Sequence, residues 1–244
     1  MYVYEISRVM PATLKTNKTA ILVFANSSEE ELKHKAIPKG GVLFQGLTKR
    51  AVYTAKKTGL PYFLLTEKEQ YGNSFGDRFV NAIKYIFDKG FDNVITIGND
   101  TPQLKVSDIL KAALYVSDQK FVLGPSKDGG FYLMGLNRSQ FDERTFRDLT
   151  WKTNSLVKKL TKLIEASNIQ IIQLKTLLDL DSYSDLKKIL KGLRFSSSKI
   201  FQTIYSLLQP KKKYFPHRHI IISVYFKSNC FNKGSPLDTL PSLG

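Results

Sequence analysis

Along its first 190 or so residues the chain alternates short, nearly unbroken apolar runs with helix-length amphipathic segments. No other feature constrains the fold as tightly. Thr19–Ala25 (TAILVFA) has no polar residue after its threonine, the pattern of a strand buried on both faces. Leu43–Thr58 predicts a helix, stopped by Gly59 with Pro61 beyond. Tyr62–Leu65 is a second strand. Phe75–Lys89 puts Phe79, Ala82, Ile83 and Ile86 on one helical stripe and ends at Gly90. Val94–Ile97, Phe121–Leu123, Phe131–Leu136 and Ile169–Leu174 read as further strands. Between them fall a helix capped by Ser107 or Asp108, and helices at Asn154–Ala166 and Leu186–Leu193. This order predicts an α/β protein of three layers, α/β/α, around a mostly parallel central sheet. Ligands of such sheets bind at the carboxyl ends of the strands.

Periodicity weakens near Gly192–Ser198, which predicts an α/β domain over 1–198 and a basic, partly disordered appendage over 199–244. The appendage holds a possible helix at Lys199–Leu208, then Pro210, the triplet Lys211–Lys213 and an ending rich in Gly, Pro and Ser. The charge follows the same division. Residues 1–150 carry 21 Lys and Arg against 16 Asp and Glu, whereas the rest carry 16 against 5. A basic tail on a balanced domain suits loose contact with phosphates or an acidic membrane surface more than sequence-specific nucleic-acid binding. No zinc-finger, homeodomain or RNA-recognition signature accompanies it. No apolar run approaches the roughly 20 residues of a transmembrane helix. The first eighteen residues carry Glu5 and Arg8 inside their apolar stretch and lack a small-residue cleavage site, unlike a signal peptide. Cys230 is the single cysteine, so no internal disulfide framework is available. These features predict a cytoplasmic protein. His34, His217 and His219 lack ligand spacing and read as surface residues.

Three segments could carry chemistry. In Val94–Pro102 (VITIGNDTP) an apolar strand runs into Gly98, Asn99 and Asp100, so the carboxylate reaches the edge where such sheets bind ligands. A carboxylate there suits a hard divalent ion that keeps phosphate and water for its remaining positions; equally, Asp100 could close an Asx-turn. The segment Gly124–Gly135 (GPSKDGGFYLMG) sets Asp128 before Gly129 and Gly130, where backbone amides can approach a ligand. Its alternative is an Asp-Gly hairpin turn. In Asp179-Leu180-Asp181-Ser182, alternation puts both carboxylates on one side of an extended segment, or Asp181 or Ser182 caps the next helix.

Taken together, GNDTPQL, GPSKDGGFYLMGL, Trp151-Lys152-Thr153 and DLDSYSDL resemble a bacterial family of predicted glycosyltransferases with the nucleotide-diphospho-sugar transferase (GT-A) fold. That family often lies in arsenosugar-type biosynthetic contexts. Phe75-Gly76-Asp77-Arg78-Phe79 is similar to its Leu-Gly-Glu-Arg-Leu helix start, and the resemblance spans about residues 19–190. It implies that Asp100 and Asp181 face Mg²⁺ or Mn²⁺ beside the diphosphate, with Asp179 in reserve. Asp128 would act at the sugar or acceptor, with Asn99, Gly129, Gly130 and Trp151 lining the substrate site. The function implied is metal-assisted transfer of a sugar from a nucleotide-diphospho-sugar donor to an unknown acceptor. A nucleotidyltransferase of the same fold and a binding protein without turnover are the alternatives.

One departure stands out. After its first strand the family carries a basic Lys-Thr-Arg loop, whereas here Phe24-Ala25 leads into Asn26-Ser27-Ser28 and Glu29-Glu30-Glu31. Acids beside phosphates are electrostatically unfavourable. Either the acids point elsewhere and Lys33 or Lys35 serves the donor, or donor binding is altered or lost; Lys39 also lies nearby.

Overall fold

The computed structural model describes residues 18–35, 37, 40–192 and 199–209. Lys39, residues 193–198, the Lys211–Lys213 triplet, His217, His219 and Cys230 lie outside these residues. The expected strands all form: β1 (Thr19–Phe24), β2 (Tyr62–Leu65), β3 (Asn93–Ile97), β4 (Phe121–Pro125), β5 (Phe131–Asn137) and β6 (Ile171–Gln173). They make one sheet in the order β2-β1-β3-β5-β4-β6. β1 pairs in parallel with β2 and β3, and β4 with β6, while β5 runs antiparallel to both its neighbours.

The helices are α1 (Ser28–His34), α2 (Gly40–Lys57), α3 (Phe75–Asp88), α4 (Val106–Ser117), α5 (Glu143–Arg147), α6 (Leu156–Ala166), α7 (Tyr183–Gly192) and α8 (Lys199–Leu208). Strand alternation divides the core between the two faces. Ala20 and Leu22 of β1 pack with Phe79, Ile83 and Ile86 of α3, Phe146 of α5 and Leu160 of α6. Ile21 and Val23 pack on the other side with Ala51 and Ala55 of α2 and with Ile109, Ala112 and Val116 of α4. Burying each large side chain contributes about 1.5–3 kcal/mol, offset in large part by the entropy of ordering the chain.

Local chemistry sets the helix ends. Ser74 and Asp77 form a reciprocal capping box at the start of α3, and Gly90 follows its end at φ +86°. The start of α4 differs from expectation. Lys105, not Ser107 or Asp108, is its N-cap, and the Asp108 carboxylate accepts from the Lys105 backbone N–H at 3.0 Å. Asp108 thus works from the third helical position. The short α1 is an element beyond those the apolar pattern predicts. Ser27 caps it by accepting from the Glu30 backbone N–H, and the three glutamates fill its first turn, where the helix dipole favours negative charge.

The third cluster joins Leu43, Phe44 and Leu47 of α2 to Leu186 and Ile189 of α7 and to Ile200 and Ile204 of α8. The helix expected within the 199–244 appendage therefore packs on the α/β body. Its apolar stripe, not the fading of periodicity around 193–198, decides where it belongs. Replacing Ile204, which is fully buried, by alanine is expected to cost about 2–4 kcal/mol in denaturant unfolding. A loss under about 0.5 kcal/mol, the size of an ordinary surface substitution, would return α8 to the appendage.

Candidate active site

A cavity of about 360 Å³ opens at the carboxyl ends of β1 and β3. That volume suits a small organic ligand. Because β5 runs backwards, its beginning lies at the same edge, and the β4–β5 hairpin brings Asp128 there. Phe24, Asn26, Gly98, Asn99, Asp100, Asp128, Gly130, Asp179 and Asp181 all line the space. The two chemistry-bearing turns and the DLD segment thus converge on one cavity. Hydrogen bonds join them. The Leu180 N–H donates to the Asp100 carbonyl at 2.9 Å, and the Thr101 hydroxyl donates to the Asp179 carboxylate.

The charged wall is centred on Lys35. Its ammonium lies 3.0 Å from Asp181 Oδ1, 3.1 Å from Glu31 Oε2 and 3.2 Å from Asp100 Oδ2. It also donates to the Leu180 carbonyl at 3.2 Å. The side chain is 13% exposed. Burial works against its charge, but the carboxylates of Asp100, Glu31 and Asp181 outweigh that and hold the ammonium above its ordinary range. Burial raises the Glu31 carboxyl, against the pull of Lys35. Asp179 is pushed up to about 7, first by burial and then by the neighbouring Asp100.

Lys33 is not part of this wall. Lys33 sits in the last turn of α1, whereas Lys35 is the extended C-cap residue just past its end, and the two side chains part. Lys33 is 68% exposed and pairs with Glu30 at 2.6 Å. His34 borders the cavity, is largely exposed and contacts Glu30 at 3.1 Å. Asn99 is buried, and its amide donates to the Thr48 hydroxyl at 2.9 Å and to the Asn26 carbonyl at 3.4 Å. It ties the loop before α1 to α2 and so fixes where Glu31 and Lys35 stand.

Aromatic rings also line the cavity. Trp151 packs 5.0 Å from Phe79, 5.3 Å from Phe75 and 6.1 Å from Phe131, measured between ring centroids. Its indole N–H is used internally, donating to the Phe146 carbonyl at 2.9 Å. A Cβ at residue 76 would come within 2.7 Å of the Trp151 ring, so Gly76 is what admits it. Lys152, at φ +58°, adds a cation at this rim, 5.6 Å from the Phe75 ring centroid. Nothing in the sequence singled Lys152 out.

Asp128 shapes its turn and also lines the cavity. Its Oδ1 accepts from the Ser126 hydroxyl at 2.5 Å and from the Gly130 N–H at 3.0 Å, so it does shape the turn. It also borders the cavity, and so does Gly130. Gly129 does not. Its φ is +92°, and a Cβ there would fall 2.1 Å from the Asn154 carbonyl oxygen. The glycine clamps the hairpin tip against the approach to α6.

The carboxylates suit a divalent cation. Asp100 Oδ2 and Asp181 Oδ1 lie about one point, now taken by the Lys35 ammonium. Beside them Glu31 Oε2 is buried and receives no aligned hydrogen bond, although Lys35 is in ion-pair contact with it. These are hard oxygen donors of the kind magnesium and manganese take. Among the described residues no three such side chains already close around a metal position, so two carboxylates plus ligand oxygens is the fitting arrangement.

The hairpin clamp is testable. Gly59→Ala should cost about 1–2 kcal/mol, the penalty of a left-handed backbone alone, since nothing lies near its Cβ. Gly129→Ala should cost at least twice that, read from urea midpoints. Equal losses would mean that the Asn154 backbone yields freely.

Comparison with known proteins bears on the fold. Residues 41–153 match the profile of the DUF2064 family, described as uncharacterized protein conserved in bacteria. Curated proteins give no match. A candidate nucleotide-diphospho-sugar transferase from Desulfovibrio desulfuricans superposes with a TM-score of 0.70 at 19% identity, over 78% of this chain and 95% of its own. A nucleotidyl transferase from Methanothermobacter gives a TM-score of 0.45 at 13% identity, over 72% of this chain and 97% of its own. With its six-stranded, mostly parallel sheet between helical layers, the chain has the nucleotide-diphospho-sugar transferase-like fold.

Proposed function

We propose that this chain transfers a glycosyl group from a nucleotide-diphospho-sugar to an acceptor hydroxyl. One observation carries the reading: Asp100, Asp181 and Asp128, drawn from three distant segments, line a single cavity that Phe75, Phe79, Phe131 and Trp151 also line. The carboxylate wall suits the diphosphate end of a donor once cations are present. The aromatic wall suits the apolar faces of a sugar and keeps water from the reacting carbon.

Asp100 and Asp181 would hold a magnesium or manganese ion, which would supply positive charge to the departing diphosphate. Among the described residues, Lys35 and Lys152 are the lysines that line this cavity. Asn99 holds the loop that carries Lys35. Asp128 acts on the acceptor. Its carboxylate accepts the hydroxyl proton as the new bond to the anomeric carbon forms, while the bond to the diphosphate oxygen breaks and its electron pair leaves with the nucleoside diphosphate. Gly130 fixes the direction of that carboxylate through its N–H.

Product analysis tests the reading. Release of nucleoside diphosphate from a panel of nucleotide-sugars supports it. Release of pyrophosphate from nucleoside triphosphate and sugar phosphate would instead make the chain a nucleotidyltransferase, and binding without product would make it a binding protein. Asp128→Ala should lower kcat by about 10²-fold or more, the scale of a lost general base, with donor affinity nearly unchanged. If the variant loses only the ~1 kcal/mol of a local hydrogen bond and transfers sugar at the wild-type rate, Asp128 is a turn residue and the assignment fails.

A further inference from the structure

The Lys35 ammonium lies between Asp100 Oδ2 and Asp181 Oδ1, at the point these two carboxylates could offer to a divalent cation. Three carboxylates from three segments surround it: Glu31 one helical turn back, Asp100 after β3 and Asp181 before α7. The balance is lopsided, because one ammonium against three carboxylates leaves two negative charges at the rim of a cavity meant for an anion. A diphosphate would be repelled from that arrangement. Glu31 Oε2 is buried and, among the described residues, has no hydrogen-bond partner beyond its 3.1 Å ion pair to Lys35. Exchanging the ammonium for a dication would bring the cluster to one negative charge and set a positive side chain free at the same rim.

We propose that Lys35 is a built-in placeholder cation: a divalent ion and the Lys35 ammonium compete for the oxygens of Asp100 and Asp181, and the displaced ammonium turns to the phosphates of the ligand while Glu31 stays beside the site. The first half rests on geometry alone, and the second rests on the donor reading above. Glu31 and Lys35 then have a joint role. The acidic segment Glu29–Glu31 delivers a carboxylate inward at residue 31, and the C-cap residue of the same helix is the lysine that pairs with it. Metal entry and anion binding become linked, since each empty state is held shut by the same ion pairs.

Opposite shifts from one substitution distinguish this from a structural ion pair. In the full-length protein, Lys35→Met should bind Mn²⁺ at least ten-fold more tightly than wild type, as read by electron paramagnetic resonance titration without nucleotide. The same variant should bind inorganic pyrophosphate at least ten-fold more weakly in saturating Mg²⁺, as read by calorimetry. Its melting temperature should rise more on adding Mn²⁺ than that of wild type. Equal or weaker Mn²⁺ binding in Lys35→Met overturns the competition, and unchanged pyrophosphate affinity overturns the release toward phosphate. Tighter Mn²⁺ binding by the variant, with no pyrophosphate bound by wild type, supports the exchange and counts against the transferase reading. Should Lys35→Met fail to fold, Lys35→Arg carries the test. A guanidinium grips carboxylates bidentately, so its Mn²⁺ affinity should fall below wild type, and an unchanged value overturns the proposal.

Discussion

The reversed direction of β5 is the constraint on which the site depends. In an all-parallel sheet each strand would deliver only its carboxyl end to the ligand edge. Here β5 lies between β3 and β4 and antiparallel to both, so a tight hairpin, rather than a long crossover, links β4 to β5 at that edge. The turn that follows β3 and the hairpin that precedes β5 become neighbours by pairing, Ile97 lying opposite Leu133. Backbone hydrogen bonds fix the separation of Asp100 and Asp128 before any side chain is considered. The DLD segment is then added by the bridge between Ser126 and Leu177 and by the bond from Leu180 to the Asp100 carbonyl.

Much of this was legible in the sequence because it is written in local patterns. Continuous apolar runs marked the strands, and glycines at 59 and 90 marked helix ends that need a positive φ. The carboxylates after β3, within the hairpin and before α7 were each recognisable by position at an element's end. What escaped was α1. Its seven residues, SEEELKH, hold a single apolar side chain, so hydrophobic periodicity is silent. The signal was present in another form, since Ser27 precedes Glu30 by three residues in the pattern of a helix start. Reading that helix would have separated Lys33 from Lys35 at once. The ion-pair cluster itself had no local signature. Lys35, Asp100 and Asp181 are brought together only by folding.

The acids that looked unsuited to a phosphate site also have an ordinary explanation in part. Glu29 and Glu30 sit in the first turn of α1, where the unpaired backbone N–H groups welcome them. Only Glu31 turns inward, and it does so beside Lys35. A run of like charge in sequence is thus divided by one helical turn into a solvent-facing pair and a buried partner. The Ser27 backbone N–H and hydroxyl meanwhile donate to the Glu67 carboxylate at 2.6 and 2.7 Å, anchoring the start of that turn to the segment after β2.

The aromatic wall has an optical consequence. The chain holds one tryptophan, Trp151, and it borders the cavity rather than the deep core. Its indole emission therefore arises from a single place, at the surface any bound molecule would touch. The protein carries its own fluorophore at the mouth of the site, and occupancy can be followed in real time without label, dye or coupled reaction.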